Sequence, residues 1–391
     1  MKMEVGIVGK PNVGKSTFFR ALSLKDAEIA NFPFTTIKPN VGVGYVRTEC
    51  GCTSFGVECT PKNSLCVGGN RFVPVKLIDV AGLVPGAHEG KGLGNQFLDD
   101  LRRADVLIHV VDISGETNEK GESTKGYDPA EDVSFLKDEI DHWFCQILER
   151  NWSKITSKVR HSSRDLIDEL TLHMAGLGIT ESHVTEAMKK ADLDSGCGWG
   201  GNDLMDFAVE LRKTSKPLLV AGNKIDLDEG NFKRLRDEYD IIPVCSEAEL
   251  ALRQAHASGV ISYIPGDCEF ELLKEIPDKQ MKALEYMRES ILGVYGSTGV
   301  QQCLNRAVFD LLEMIVVYPV ENENKLSDKD GNILPDALLL PKESSAIDLA
   351  YRIHSDIGDR FIGAIDCKTK MKVGRDHKLI NGDVIKIITG R

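Results

Sequence analysis

Eight residues near the start of the chain, Gly9-Lys10-Pro11-Asn12-Val13-Gly14-Lys15-Ser16, follow the pattern G-x-x-x-x-G-K-S. The chemistry this pattern serves is the holding of a polyphosphate. Glycines at both ends let the backbone turn tightly and bring its N–H groups onto phosphate oxygens, where the start of a helix favours anions. Lys15 can then reach the outer phosphates and the Ser16 hydroxyl can ligate Mg²⁺, while Asn12, Val13 and Thr17 complete the cradle.

Two further motifs choose the nucleotide. Asp79-Val80-Ala81-Gly82 ends an apolar run, Val75 to Asp79, which places a carboxylate where it can hold Mg²⁺ through water and an amide, that of Gly82, where it can meet a terminal phosphate. Asn223-Lys224-Ile225-Asp226 follows a second apolar run. A carboxylate at Asp226 can accept two hydrogen bonds from guanine N1 and N2, whereas adenine presents an acceptor there and leaves the carboxylate unpaired. Asn223 and Lys224 would brace the site and cover the base. Asp226 could also cap a following helix. Further on, Pro243-Val244-Cys245-Ser246 ends another strand-like run, and an amide at Cys245 or Ser246 could meet guanine O6.

Cys50, Cys52, Cys59 and Cys66 gather four of the ten cysteines in one stretch. Four thiolates can close a tetrahedral Zn²⁺ site, yet the spacing C-x-C-x6-C-x6-C contains no tight C-x2-C pair, and reduced thiols in a loop fit it too. The remaining cysteines are scattered, as in a reducing compartment. Lys154, Lys158, Arg160, His161 and Arg164 form one short basic stretch, and Lys368, Lys370, Lys372, Arg375 and Lys378 another. Each could touch RNA or simply be solvated.

The elements that must position these residues can be read from hydrophobic periodicity. Short β-branched runs alternate with helical patterns over the first third, Glu4 to Val8, Thr17 to Leu24, Val73 to Asp79, Phe97 to Arg103 and Val106 to Asp112, which predicts βαβ units and a mainly parallel sheet. A long helix then follows, with Phe135, Leu136, Ile140, Trp143, Phe144, Ile147, Leu148, Trp152 and Ile155 at three- and four-residue spacing. That stripe is expected to pack within the helical segment. The α/β pattern resumes at Pro217, and from about 316 the chain turns to short strands around one helix capped by Ser344 or Ser345. The expected organisation is an α/β domain (1–112 and 206–315), a helical insertion (113–205) and a β-rich module (316–391). A net charge of −12 over 391 residues argues against coating nucleic acid by bulk electrostatics. The start of the chain lacks a leader-like pattern and no apolar run is long enough to span a bilayer, so a cytoplasmic protein with no membrane partner is expected.

With these motifs in order, the chain resembles the Obg-related translation-factor GTPases, and within them the YchF branch in an archaeal form. Residues 31–40 resemble the family's first switch, and 79–95 its glycine-rich second switch. The segment from Asp128-Pro129 resembles its helical, coiled-coil-like domain, and the chain from about 316 its TGS domain, a ubiquitin-like β-grasp module. The resemblance implies a P-loop G domain that binds GTP and GDP with Mg²⁺ and hydrolyses GTP as a switch, slowly until a partner acts, with Lys15, Thr36, Gly82 and His88 in the catalytic set. Thr36 becomes a second Mg²⁺ ligand beside Ser16. The residue after D-x-x-G, a water-positioning glutamine in many relatives, is Leu83 here. An alkyl group cannot orient water, which leaves His88 as the local candidate unless it is simply a solvated surface residue, and the resemblance to GTPases with a hydrophobic residue at this position implies K⁺ near the phosphates with Asn12 as a ligand. The family implies ribosome or RNA contact through the TGS and helical parts. Some members prefer ATP, so an ATPase of the same fold, or a nucleotide-gated RNA scaffold with negligible turnover, stands as the alternative.

Overall fold

The computed structural model describes residues 3–23, 40–80, 94–162 and 165–390. The chain divides into two compact units. One takes in the N-terminal residues through Leu22 together with Lys76–Cys303, and the other takes in Val43–Val75 with the residues from Leu304 onward.

The first unit is built on a parallel sheet. Its strands, in spatial order, are the end of Asn70–Asp79, then Glu4–Val8, Val106–Asp112, Leu218–Asn223 and Ile241–Val244, each parallel to its neighbour. Such strands are buried on both faces, which is why they read as continuous apolar runs rather than alternating ones. Glu4–Val8 and Val106–Asp112 are buried along their whole length. The register aligns Ile7 with Asp79 and Val8 with His109, so Asn70–Asp79 and Glu4–Val8 end at nearly one level, while Asp112, Asn223 and Val244 end level with one another about three residues further on. In open parallel sheets ligands bind at this edge.

The helical segment comprises Pro129–Ser162, Leu166–Met174, Glu181–Lys190 and Gly201–Ser215. Its aromatic stripe is core: Leu136, Ile140, Trp143, Phe144 and Leu148 pack with Leu170, Val184 and Phe207. Trp152 stacks on Trp199 with ring centroids 5.1 Å apart. The same cluster contains Val8, Ile78 and Leu107, so the helices continue the core of the sheet. Residue 205, where the sequence placed the end of the insertion, falls inside Gly201–Ser215, the helix that leads directly into the strand Leu218–Asn223.

In the second unit, a five-stranded sheet runs in the order Leu338–Pro341, Met314–Val320, Val384–Thr389, Phe361–Asp366, Lys372–Val373. The helix Ala346–Ile353 packs Ala346, Leu349 and Ala350 inward, and Ser345 caps it in a capping box with Asp348. The turn at Asn381-Gly382 has φ +88° at Gly382, as its sequence demands. The unit also holds the helix Gly51–Phe55, the strand Leu65–Val67 and the first part of Asn70–Asp79, which pairs with it antiparallel. Among the described residues no helix is long and apolar enough to cross a membrane.

Candidate functional site

The strand Glu4–Val8 runs straight into residues 9–14, and the helix Lys15–Ser23 leaves them. The backbone between is held in conformations that few residues tolerate, with φ +66° at Asn12 and +90° at Gly14. A Cβ on Gly9 would come 2.5 Å from the Val110 carbonyl oxygen, and one on Gly14 would come 2.3 Å from Asn223 Nδ2. Close approach therefore requires both glycines, and φ requires Gly14 as well. The Phe18 amide is the first to close on the loop, donating to the Gly14 carbonyl at 2.9 Å. The amides of Lys15, Ser16 and Thr17 precede that ladder, and among the described residues no partner takes them, so they can serve an anion.

Lys15 Nζ donates to the Asp79 carboxylate and, at 2.8 Å, to the Val80 carbonyl. The ammonium and the carboxylate expected to manage the phosphates and their cation thus already face each other across adjacent strand ends. Ser16, one residue on, is exposed. On its outer side the loop is clasped by residues 117–132. Lys10 Nζ donates to the Thr117 carbonyl at 2.8 Å, pairs with Asp132 at 2.6 Å and lies 4.1 Å from the centre of the Tyr127 ring. Tyr127 donates its hydroxyl to Asp132, whose carboxyl is pushed above the usual carboxylate range by burial even though Lys10 draws it down. Asn12 Nδ2 donates to the Gly121 carbonyl at 2.9 Å, which leaves its amide oxygen as the atom that would face a cation.

The base-side motif meets the same loop. Asn223 is buried at the end of its strand; Nδ2 donates to the Val13 carbonyl at 2.8 Å, and Oδ1 accepts from the Ser246 amide at 3.1 Å and hydroxyl at 2.8 Å. Lys224, with φ +63°, pairs with Asp112 at 2.6 Å. Burial alone would raise the Asp112 carboxyl, but Lys224 and Ser114 outweigh it and hold the group below its ordinary range. Asp226 is exposed and accepts from the Cys245 thiol at 3.3 Å. Burial, with Asp226 beside it, pushes that thiol up to about 12. The helix that follows, Glu229–Leu235, is capped by Asp228 and not by Asp226, so the latter carboxylate is not spent on capping.

One expectation is corrected. The Cys245 amide donates to the Thr298 carbonyl at 2.9 Å and the Ser246 amide to Asn223, so neither is available to a base oxygen. The next amide, Glu247 in the first turn of Ser246–Ala257, takes over the candidate role.

Thr36, Gly82, Leu83 and His88 lie outside the described residues. The four cysteines are brought together: the sulfur atoms of Cys50, Cys52, Cys59 and Cys66 all fall within 4.8 Å of one another. The basic residues are partly committed, Lys158 to the buried Glu169 at 3.0 Å and Lys370 and Lys378 to the carbonyls of Glu323 and Glu343. Asp112 was not singled out from sequence, although it ends an apolar strand just as Asp79 and Asn223 do, and that shared position is the signal that would have found it. Lys10 and Asp132 carry no such signal.

Comparison with known proteins finds relatives along the whole chain. Residues 4–143 match the family model described as 50S ribosome-binding GTPase, residues 221–322 that of the Obg-like GTPase YGR210-like, G4 motif-containing domain, and residues 329–389 that of the TGS domain. A GTP-binding protein of Methanocaldococcus jannaschii is 49% identical over 390 residues, 98% of each chain. The ribosome-binding ATPase YchF of Buchnera aphidicola is 26% identical over 99% of each chain. Among solved structures, a GTP binding protein from Pyrococcus horikoshii is 39% identical and superposes with a TM-score of 0.81, covering 99% of this chain and all of its own.

Proposed function

The chain belongs to the Obg-related, YchF-type family of P-loop GTP-binding proteins with a C-terminal TGS domain, and from that premise we propose that it is a Mg²⁺-dependent GTP switch that hydrolyses GTP to GDP and phosphate, slowly on its own. One observation carries the reading: the parallel strand ends bring Lys15 and Asp79 to one side of the phosphate loop and Asn223, with Asp226 beyond it, to the other. That arrangement supports a phosphate tail at one end and a guanine base at the other. The left-handed turn at Gly14, the amides of residues 15–17 that precede the first helical hydrogen bond and the exposed Ser16 support a magnesium-bound polyphosphate here.

Lys15 and the amides of residues 13–17 would hold the phosphates, Ser16 and Thr36 the Mg²⁺, Asp79 its water shell and the Gly82 amide the terminal phosphate. The protein then positions groups and neutralises charge as the phosphoryl group passes to water. Leu83 supplies no water-orienting group, so turnover depends on His88, on K⁺ near Asn12 or on a partner. Asp226 favours guanine, because its carboxylate can accept from guanine N1 and N2, whereas adenine would present an acceptor to it. The name of the Buchnera relative, an ATPase, supports the second reading, ATP at the same site. That name and the description of the model matched by residues 4–143 support a ribosomal partner, reached through the TGS and helical parts in the cytoplasm.

The test is the affinity for GTP and ATP with Mg²⁺, alongside Asp226→Asn offered xanthosine triphosphate. GTP is expected to win by roughly tenfold or more, about 1.4 kcal/mol, and the variant to move its preference to the xanthine base. ATP binding as well as GTP would overturn the guanine assignment. Phosphate release with K⁺ and ribosomes absent and present then separates a switch from a scaffold that holds nucleotide without turning it over.

A further inference from the structure

We propose that Cys50, Cys52, Cys59 and Cys66 form a tetrathiolate Zn²⁺ site that fixes the fold of segment 50–66, and with it the loop's contact with residues 333–337. The geometry is that of a tetrahedral ion. With Zn–S bonds of about 2.3 Å, the sulfurs of a tetrahedron stand about 3.8 Å apart. Here Cys50 and Cys59 are separated by 3.9 Å, Cys52 and Cys66 by 3.9 Å, and all four sulfurs lie within 4.8 Å of one another.

The ligands come from separate pieces of backbone. Cys50 and Cys52 lie at the start of the helix Gly51–Phe55, Cys59 on the loop after it and Cys66 on the strand Leu65–Val67. Reduced cysteines acting as small apolar fillers do not require four sulfurs from such places to converge on one point. The segment between them, with one five-residue helix and few apolar side chains, has little with which to fold on its own.

A second, independent feature is Arg71. It is fully buried, and its Nη1 points at the sulfurs of Cys59 and Cys50, at 3.6 and 3.9 Å. Its Nη2 donates to the carbonyls of Leu334 and Pro335, at 2.7 and 3.3 Å, and among the described residues it makes no ion pair with a carboxylate. A guanidinium taken out of water needs a negative partner. Four thiolates around one divalent cation carry two net negative charges, and Arg71 offsets one of them. Neutral thiols or disulfides would leave Nη1 facing sulfur atoms that carry no charge, with Asp336 the carboxylate that acts on the guanidinium from beyond ion-pair distance.

The anchor acts on a specific contact. Beside the cluster, the amides of Thr60 and Lys62 donate to the carbonyls of Ile333 and Pro335 at 2.8 and 2.7 Å, and Asn63 exchanges two hydrogen bonds with Ala337. An ion at the four sulfurs would hold this loop in register against 333–337, as a structural zinc and not a catalytic one.

The full chain, purified without chelator, decides the matter by elemental analysis. About one zinc per chain that survives dialysis and is released when thiols are blocked is expected. Replacing it with Co²⁺ should give the visible and near-ultraviolet bands of tetrahedral cobalt thiolate. Cys59→Ser and Cys66→Ser should each lose the metal, while Cys268→Ser, at an exposed cysteine remote in sequence, should keep it. If the serine variants do not fold, the stoichiometry and cobalt spectrum of the natural chain still decide. A metal-free chain whose four cysteines react as thiols, a mass showing two disulfides, or iron in place of zinc would each overturn the assignment.

Discussion

The ammonium of Lys10 stands 2.6 Å from the carboxylate of Asp132, and both side chains are only 6% exposed. The pair joins the second residue of the phosphate loop to the first turn of the helix Pro129–Ser162, so the loop's outer wall belongs to the helical segment. Breaking one side of a buried pair leaves a charge with no partner, which costs more than the pair itself contributes. Asp132→Leu or Lys10→Met alone should lower stability by about 3 kcal/mol. The double variant should recover most of that loss in urea denaturation.

Gly14 offers a sharper test, because its φ of +90° and its closeness to Asn223 act together. Gly14→Ala must displace the Asn223 amide and break its bond to Val13, with a loss of about 1–3 kcal/mol and a fall in GTP affinity. Gly126→Ala is the control, since φ there is +74° and nothing lies within 4 Å of the new Cβ. It should show the backbone strain alone.

Lys15 and Asp79 hold each other before any phosphate arrives. Lys15→Ala should weaken GTP binding by about 10- to 100-fold, the worth of a hydrogen bond to a charged group. Asp79→Asn should instead flatten the Mg²⁺ dependence of binding. Titration calorimetry at varied Mg²⁺ distinguishes the two.

His109, in the strand beneath the phosphate loop, is fully buried. Burial first, and then Lys137 and Lys10, holds its pKa down to about 3. Folded His109 therefore stays neutral where the unfolded residue, with a pKa near 6.5, takes up a proton. Stability should be full above about pH 6.5 and fall as pH drops toward 3, by about 1.4 kcal/mol per unit. His109→Gln should remove that slope from thermal melts between about pH 6.5 and 5.

How much of this was legible in the sequence depended on distance along the chain. The phosphate loop is written in consecutive residues whose glycines have no other use, and Asp226 sits in a four-residue motif at a strand end. The cysteine site was less legible, because ligands drawn from a helix, a loop and a hairpin need no regular spacing. Arg71 was invisible, since a buried arginine in a strand looks like a solvated one until its surroundings are known. Lys10 was hidden for the same reason, its partner lying more than a hundred residues away. The misplaced amide at Cys245 and Ser246 came from a side chain: Asn223 claims the Ser246 N–H, a competition that no local pattern records.

Asn223 also sets an order of events. Its amide supports the Val13 carbonyl from 210 residues downstream and is itself held by Ser246. While the protein is being made, the phosphate-binding turn leaves the ribosome early and must wait, half assembled, until the chain beyond residue 246 has followed it. A release product that ends before residue 223 would carry the complete phosphate-loop sequence without the side chain that braces its Val13 carbonyl.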